Sequence, residues 1–182
     1  GDAHQRPPRA VQDRPEPLRG GRLADAEGVD LPGQPHRAPA RAELRAAWGV
    51  AEDLPVVLTA AMFRPGVKTE GLVQVIQACR RLRDAGQGLR LAVCGDGPGR
   101  ARLSAEARRA GLEDTLFVGR IPRPGMVRYY RAADVFAFPG VREGLGMVYL
   151  EAQAASLPVV AHGTWGAGEV VLDDVTGWLS DP

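Results

Sequence analysis

Residues 56–94 read VVLTAAMFRPGVKTEGLVQVIQACRRLRDAGQGLRLAVC. Two short β-rich runs, Val56 to Ala61 and Leu89 to Cys94, bracket a stretch in which Leu72, Val75, Ile76, Cys79 and Leu82 recur at helical spacing. Thr69 is the expected N-cap of that helix and Gly86 its stop. Strand, helix and strand in this order form a βαβ unit, whose two strands run parallel because the helix carries the chain back to the starting edge. The apolar stripe of the helix belongs to the core.

Outward from this unit the alternation continues. Further strands are expected at Thr115 to Val118, Val135 to Phe138, Pro158 to Ala161 and Gly177 to Leu179. Pro98 suits a first helical turn and Gly111 a helix end, while Met126, Tyr129 and Tyr130 belong to another helix as packing residues. The expected fold class is α/β: a single Rossmann-like domain with a parallel sheet of about six strands flanked by helices. No repeat of fixed period points to a solenoid. Upstream, residues 1–39 hold seven of the fifteen prolines and no aromatic residue, a composition that buries too little apolar surface to order itself. They are expected to be irregular, a tail or a misread start, with the domain spanning 40–182.

The 182 residues suffice for one domain with a real core. Lys and Arg total 23 against 22 for Asp and Glu, and a net charge of +1 gives no global field for nucleic acid or another polyanion. The two cysteines, Cys79 and Cys94, are expected as buried thiols, which fits a reducing cytosol. No apolar run approaches the roughly 18 residues of a membrane span, and no secretory h-region is present at the N-terminus. The expectation is a cytoplasmic chain without a transmembrane segment, peripheral contact with the inner face of a membrane remaining open.

In open α/β sheets ligands sit outside the carboxyl ends of the strands, so the loops that follow the strands should hold the chemistry. Those loops carry, in turn, Arg64 and Lys68, Gly95-Asp96-Gly97-Pro98-Gly99, Gly119-Arg120-Ile121, the run from Glu143, and His162-Gly163-Thr164. Lys68 is the only lysine beside 22 arginines. With Arg64 it makes a cation pair able to clamp a diphosphate and stabilise the charge that grows as a leaving group departs. The second loop lacks the third glycine of a dinucleotide fingerprint, where Arg100 stands.

The run Glu143-Gly-Leu-Gly-Met-Val-Tyr-Leu-Glu151 sets two carboxylates around a glycine-rich helix entry. Bare amides at a helix start attract phosphate, and flanking carboxylates suit the hydroxyls of a sugar and a ribose joined through a diphosphate. If the run is mostly helical, the two α-carbons lie about 12 Å apart. A carboxylate-pair hydrolase needs its carboxyl groups about 5 to 9.5 Å apart, so the spacing favours gripping over acid and base work. A helix-dipole glutamate beside an ordinary surface glutamate is the plainer alternative.

Strand by strand, these features resemble the donor-binding half of retaining GT-B glycosyltransferases, specifically glycosyltransferase family 4 (group 1). The resemblance runs from about Val56 to Leu179, with Glu143 and Glu151 matching the family's two glutamates. Leu157 to Ala161 is similar to its next strand, and Gly166 to Val171 to its glycine-rich turn. Glu27-Gly28-Val29-Asp30 is similar to the segment that introduces the domain. The resemblance implies that Arg64, Lys68 and Glu143 serve catalysis, the two cations on the donor diphosphate and Glu143 on the transferred sugar. It further implies that Glu151 binds the ribose, that the amides of Leu145, Gly146 and Met147 meet phosphate or sugar, and that Arg120 and Ile121 border the base. The implied reaction is transfer from a nucleotide-diphosphate sugar to a glycan or lipid acceptor with retention, without cofactor or obligatory metal.

Departures from the family pattern are Ser156 where a glycine is usual, Gly168 where a proline is usual, His162 and Trp165 in a turn that is commonly small and polar, and an Arg64–Lys68 spacing one residue short. The acceptor-binding N-terminal half of a GT-B enzyme has no counterpart in this sequence. The chain alone is therefore expected to bind a sugar nucleotide weakly and to transfer poorly. A non-catalytic sugar-nucleotide-binding module or remnant, and an epimerase on the same fold, are the alternatives.

Overall fold

The apolar runs become the strands of one sheet: β1 (Val56–Ala60), β2 (Arg90–Cys94), β3 (Leu116–Gly119), β4 (Val135–Ala137), β5 (Val159–His162) and β6 (Gly177–Ser180). The computed structural model describes residues 37–140, 144 and 146–181. Residues 1–36, with the Glu27–Asp30 segment and most of the stretch expected to be irregular, lie outside the described residues. Each strand falls within a residue or two of its expected position. All pairings are parallel, in the order β3-β2-β1-β4-β5-β6. Val56 to Thr59 and Leu91 to Cys94 are buried without interruption, because helices cover both faces of a parallel sheet.

The helices are α1 (Arg37–Ala47), α2 (Val67–Asp84), α3 (Arg100–Arg109), α4 (Met126–Ala132), α5 (Met147–Ala154) and α6 (Ala167–Val170), with a 3-10 turn at Arg123–Gly125 leading into α4. α2 packs on α3, whereas α1 meets α4, α4 meets α5 and α5 meets α6. The chain steps outward from β1 to β3 and then returns to β4; right-handed crossovers then place these two groups on opposite faces. α1 starts at Arg37, inside the stretch expected to be irregular through residue 39.

Helix starts differ from expectation. α2 begins at Val67 with Gly66, at φ 97°, in the N-cap position. Thr69 instead lies inside the first turn, where its buried hydroxyl donates to the Arg64 carbonyl at 2.6 Å. Pro98 stands in the turn before α3, whose N-cap is Gly99. Along α2, Leu72, Val75, Ile76 and Cys79 are buried, but Leu82 is exposed at the end of the stripe.

The ends of α2, α3 and α5 follow one geometry. After α2 the amide of Gly86 donates to Arg83 and that of Gln87 to Leu82; after α3, Gly111 donates to Arg108 and Leu112 to Ala107. This crossed pair of bonds needs a left-handed residue just past the helix, and Gly86 and Gly111 supply it at φ 82° and 69°. α5 closes the same way, Ser156 donating to Gln153 and Leu157 to Ala152. Ser156 therefore takes the left-handed place at φ 58°, a conformation that glycine adopts without steric cost.

At the amino edge of the sheet, α1 sends a buried arginine under the strands. Arg45, 1% exposed, donates to the carbonyls of Ala51, Glu52, Leu54 and Ala132 and lies 3.2 Å from Asp134 Oδ2. The same Asp134 oxygen accepts the Val56 amide at 2.7 Å, and the Asp134 amide donates to the Val56 carbonyl at 3.0 Å. The starts of β1 and β4 are thus tied to one charged pair. Both cysteines are buried free thiols, and burial pushes each up to about 12.

Removing Arg45 leaves four carbonyls and a carboxylate without their common donor. Arg45→Met is expected to lower unfolding stability by about 3 kcal/mol, measured by urea denaturation. Ser156→Gly should move the other way by roughly 0.5 to 1 kcal/mol, since it relieves a left-handed non-glycine residue against glycine's greater unfolded entropy; a lower midpoint would contradict the assignment.

Candidate functional site

Parallel pairing places the carboxyl ends of all six strands on one edge, so the five loops singled out in the sequence open together. The strand order adds what the loops alone lacked. From β1 the chain goes outward to β2 and β3, then returns to β4 on the other side of β1. The connections after β1 and β4 therefore diverge to opposite faces and leave a crevice, the switch point at which open α/β sheets bind ligands.

The β1–α2 connection brings Arg64, which is exposed, and Lys68, which is half-buried in the first turn of α2. On the same helix, Gly71 packs against the residues just past β4: a Cβ there would stand 3.5 Å from the Phe138 ring and 3.7 Å from Pro139. Residues three apart share a helix face, so Lys68 is on the side of α2 that meets the β4–α5 connection. The structure thus sets the helix that follows the cation-bearing loop against the start of the β4–α5 connection. Glu143 and Leu145 lie outside the described residues.

Gly146 is the N-cap of α5 in a left-handed conformation, φ 66° and ψ 54°, and no side chain caps that helix. Helix geometry begins at Met147, four residues before Glu151. Under this loop sits Tyr149, fully buried, its hydroxyl donating to the Phe138 carbonyl at 3.2 Å. A Cβ on Gly140 or Gly146 would collide with the Tyr149 side chain. The glycines let the loop lie directly on an aromatic support.

The Gly95–Gly99 loop has a similar use. The Phe63 amide donates to the Asp96 carbonyl at 3.0 Å and the Gly99 amide to the Phe63 carbonyl at 2.8 Å. Gly95, at φ 138°, approaches so closely that a Cβ would collide with the Ala61 carbonyl oxygen. These glycines shape the β1–α2 connection that carries Arg64, a role the failed dinucleotide spacing had left unassigned.

Glu151 lies one turn into α5. Arg123 Nε donates to its Oε1 at 2.7 Å and the Tyr130 hydroxyl to its Oε2 at 3.1 Å. Arg123 is in the connection that follows β3, just past Arg120, which is exposed, and Ile121, which is half-buried. The residues expected at the base and at the ribose are therefore joined through Arg123. Sequence reasoning missed both Arg123 and Tyr130 as partners of Glu151, since neither lies near it in the chain. After β5, the His162 amide donates to the Pro139 carbonyl at 3.3 Å, while His162 Nδ1 and Thr164 Oγ1 are buried without a hydrogen-bond partner among the described residues. Trp165 is about half exposed at φ 52°.

A shallow depression lined by Leu54, Arg83, Gln87 and Asp114 lies on the opposite, amino edge of the sheet, away from these groups. No described helix is long and apolar enough to cross a membrane, and no cluster of metal-binding side chains occurs among the described residues.

Residues 40–182 match the model of the family described as glycosyl transferases group 1. The chain belongs to this family. Among its relatives is the D-inositol 3-phosphate glycosyltransferase of Xylanimonas cellulosilytica, 38% identical over 163 residues, which cover 85% of this chain and 38% of that protein. The GDP-mannose-dependent alpha-(1-6)-phosphatidylinositol monomannoside mannosyltransferase of Mycolicibacterium smegmatis is 38% identical over 150 residues, 78% of this chain and 38% of that one. The chain thus spans less than two fifths of the length of these relatives. Its solved neighbours are GT-B glycosyltransferases. One of them, Anabaena HepE in complex with UDP and glucose, superposes with a TM-score of 0.65 at 27% identity, covering 79% of this chain and 39% of the other.

If the Gly95 loop is structural, Gly95→Ala should destabilise the ligand-free chain by about 2 kcal/mol or more, combining backbone strain with the collision. Thermal unfolding without any nucleotide checks this; an unchanged midpoint would return the loop to a ligand-binding role.

Proposed function

We propose that this group 1 glycosyltransferase chain is a donor-binding domain that holds a nucleotide-diphosphate sugar at the β1/β4 switch point. The observation that carries the reading is the crevice between the adjacent β1 and β4 ends, with the Arg64–Lys68 connection leaving one strand, the β4–α5 connection leaving the other, and Gly71 of α2 packed on Phe138 and Pro139. Two cations supply charge for the diphosphate, and the uncapped start of α5, with the amides of Gly146 and Met147, supplies donors to phosphate or sugar. Glu151 takes the ribose, the connection with Arg120 and Ile121 borders the base, and Glu143 meets the transferred sugar.

In this reading transfer is of the retaining, family 4 kind. The acceptor hydroxyl attacks the anomeric carbon on the face from which the diphosphate leaves, the bond to the diphosphate breaks, and the hydroxyl proton passes to the departing phosphate oxygen. Arg64 and Lys68 stabilise the charge that accumulates there, so no metal is required. The acceptor, a glycan or a lipid, is held by a second domain opposite this one, and the domain itself begins near residue 40. A cytoplasmic location, at or near a membrane face, fits such donors and acceptors. The relatives' names, one with GDP-mannose and two with inositol-containing acceptors, and HepE's bound UDP support a nucleotide sugar as donor class while leaving the base and the sugar open.

Calorimetric titration with uridine, guanosine and adenosine diphosphates tests the reading. At least one should bind, and Lys68→Ala and Glu151→Ala should each weaken it about tenfold or more. No binding of any of the three would refute the donor site. Release of free nucleotide with an altered sugar and no acceptor would favour an epimerase instead.

A further inference from the structure

The Glu151 carboxylate is already held on both oxygens, and its two partners differ in kind. Arg123, on Oε1, has a side chain 69% exposed, so its ion pair contributes little and exchanges readily with solvent or ligand. Tyr130, on Oε2, is 2% exposed, with its ring edge-on to Phe136 at 5.6 Å between centroids. A buried hydroxyl in that position has no water to turn to, so its bond to Glu151 persists. A carboxylate offers about four lone-pair positions, and two remain after these bonds. Glu151 itself is 25% exposed, which leaves those positions open to a ligand.

We propose that Tyr130 is a positioning residue whose hydroxyl fixes the Glu151 carboxylate in the orientation that accepts the ribose hydroxyls of the nucleotide, and so sets selectivity for ribose over deoxyribose. The proposal rests on the donor-site reading, in which Glu151 meets the ribose. A glutamate left free to rotate must lose that freedom when the nucleotide arrives; one locked by a buried phenol has lost it on folding. Burial first, and the adjacent Glu151 second, raise the Tyr130 phenol above its ordinary value, so it remains a proton donor across the physiological range.

The test compares the tightest-binding nucleoside diphosphate with its 2′-deoxy and 3′-deoxy forms on four chains: unaltered, Tyr130→Phe, Glu151→Gln and the double variant. The unaltered chain should prefer the ribonucleotide by about tenfold or more. In Tyr130→Phe, which keeps the ring on Phe136, that preference should shrink to within about threefold, and the double variant should discriminate no less than Glu151→Gln alone. Full discrimination retained by Tyr130→Phe, or equal weakening of ribo and deoxy forms, would overturn the proposal. So would a Tyr130→Phe chain that fails to fold, since the hydroxyl would then be holding the fold rather than the ligand. Binding without ribose preference in the unaltered chain defeats this proposal and leaves the diphosphate site standing; absence of all binding defeats the donor-site reading itself.

Discussion

The pairing of β1 with β4 is the contact on which the rest of this structure depends. It joins segments nearly eighty positions apart (Val57 with Val135, Leu58 with Phe136) and makes the sheet reverse direction at β1. At one end of this pair, Asp134 accepts the Val56 amide and meets the buried Arg45. At the other end the two connections part and open the crevice. A buried arginine is costly unless its donors are used, and the two terminal nitrogens of Arg45 serve four carbonyls and a carboxylate from the α1–β1 loop, the end of α4 and the residue before β4. A group at the amino edge thus secures the geometry at the carboxyl edge.

Glycine has two uses around the crevice. At Gly95 it lets the β2 loop touch the backbone of the β1 connection, and at Gly140 and Gly146 it lets the β4 connection rest on Tyr149. Both are close approaches that a side chain would block. The uncapped start of α5 and the tight seating of the connection that leads to it therefore come from the same residue type. The Tyr130–Glu151–Arg123 cluster joins α4, α5 and the connection after β3.

Much of the fold was legible because parallel buried strands must be apolar on both faces and their helices must carry a stripe. The runs at Val56 and Leu89 and the α2 stripe are visible on that ground. Glycine stops were legible too, since Gly86 and Gly111 meet a left-handed requirement; Ser156, meeting the same requirement, was invisible as a stop because its type does not announce it. Thr69 misled for a related reason. A threonine near a helix start usually caps it, but here its hydroxyl bonds backward to Arg64 from inside the first turn. Arg45 gave no local signal, since burial of a charge is decided by acceptors that arrive from elsewhere in the chain.

The sequence by itself determined the strand and helix alternation, the parallel sense of the sheet, and the set of polar loops that face one edge. These follow from periodicity and from the short reach of each connection. Only the tertiary structure decided which loops are neighbours. Strand order sets Arg64 and Lys68 beside the β4–α5 connection, and packing of α4 on α5 delivers Tyr130 and Arg123 to Glu151. Such contacts depend on long-range pairing and on burial, and neither is encoded in the local spacing of residues.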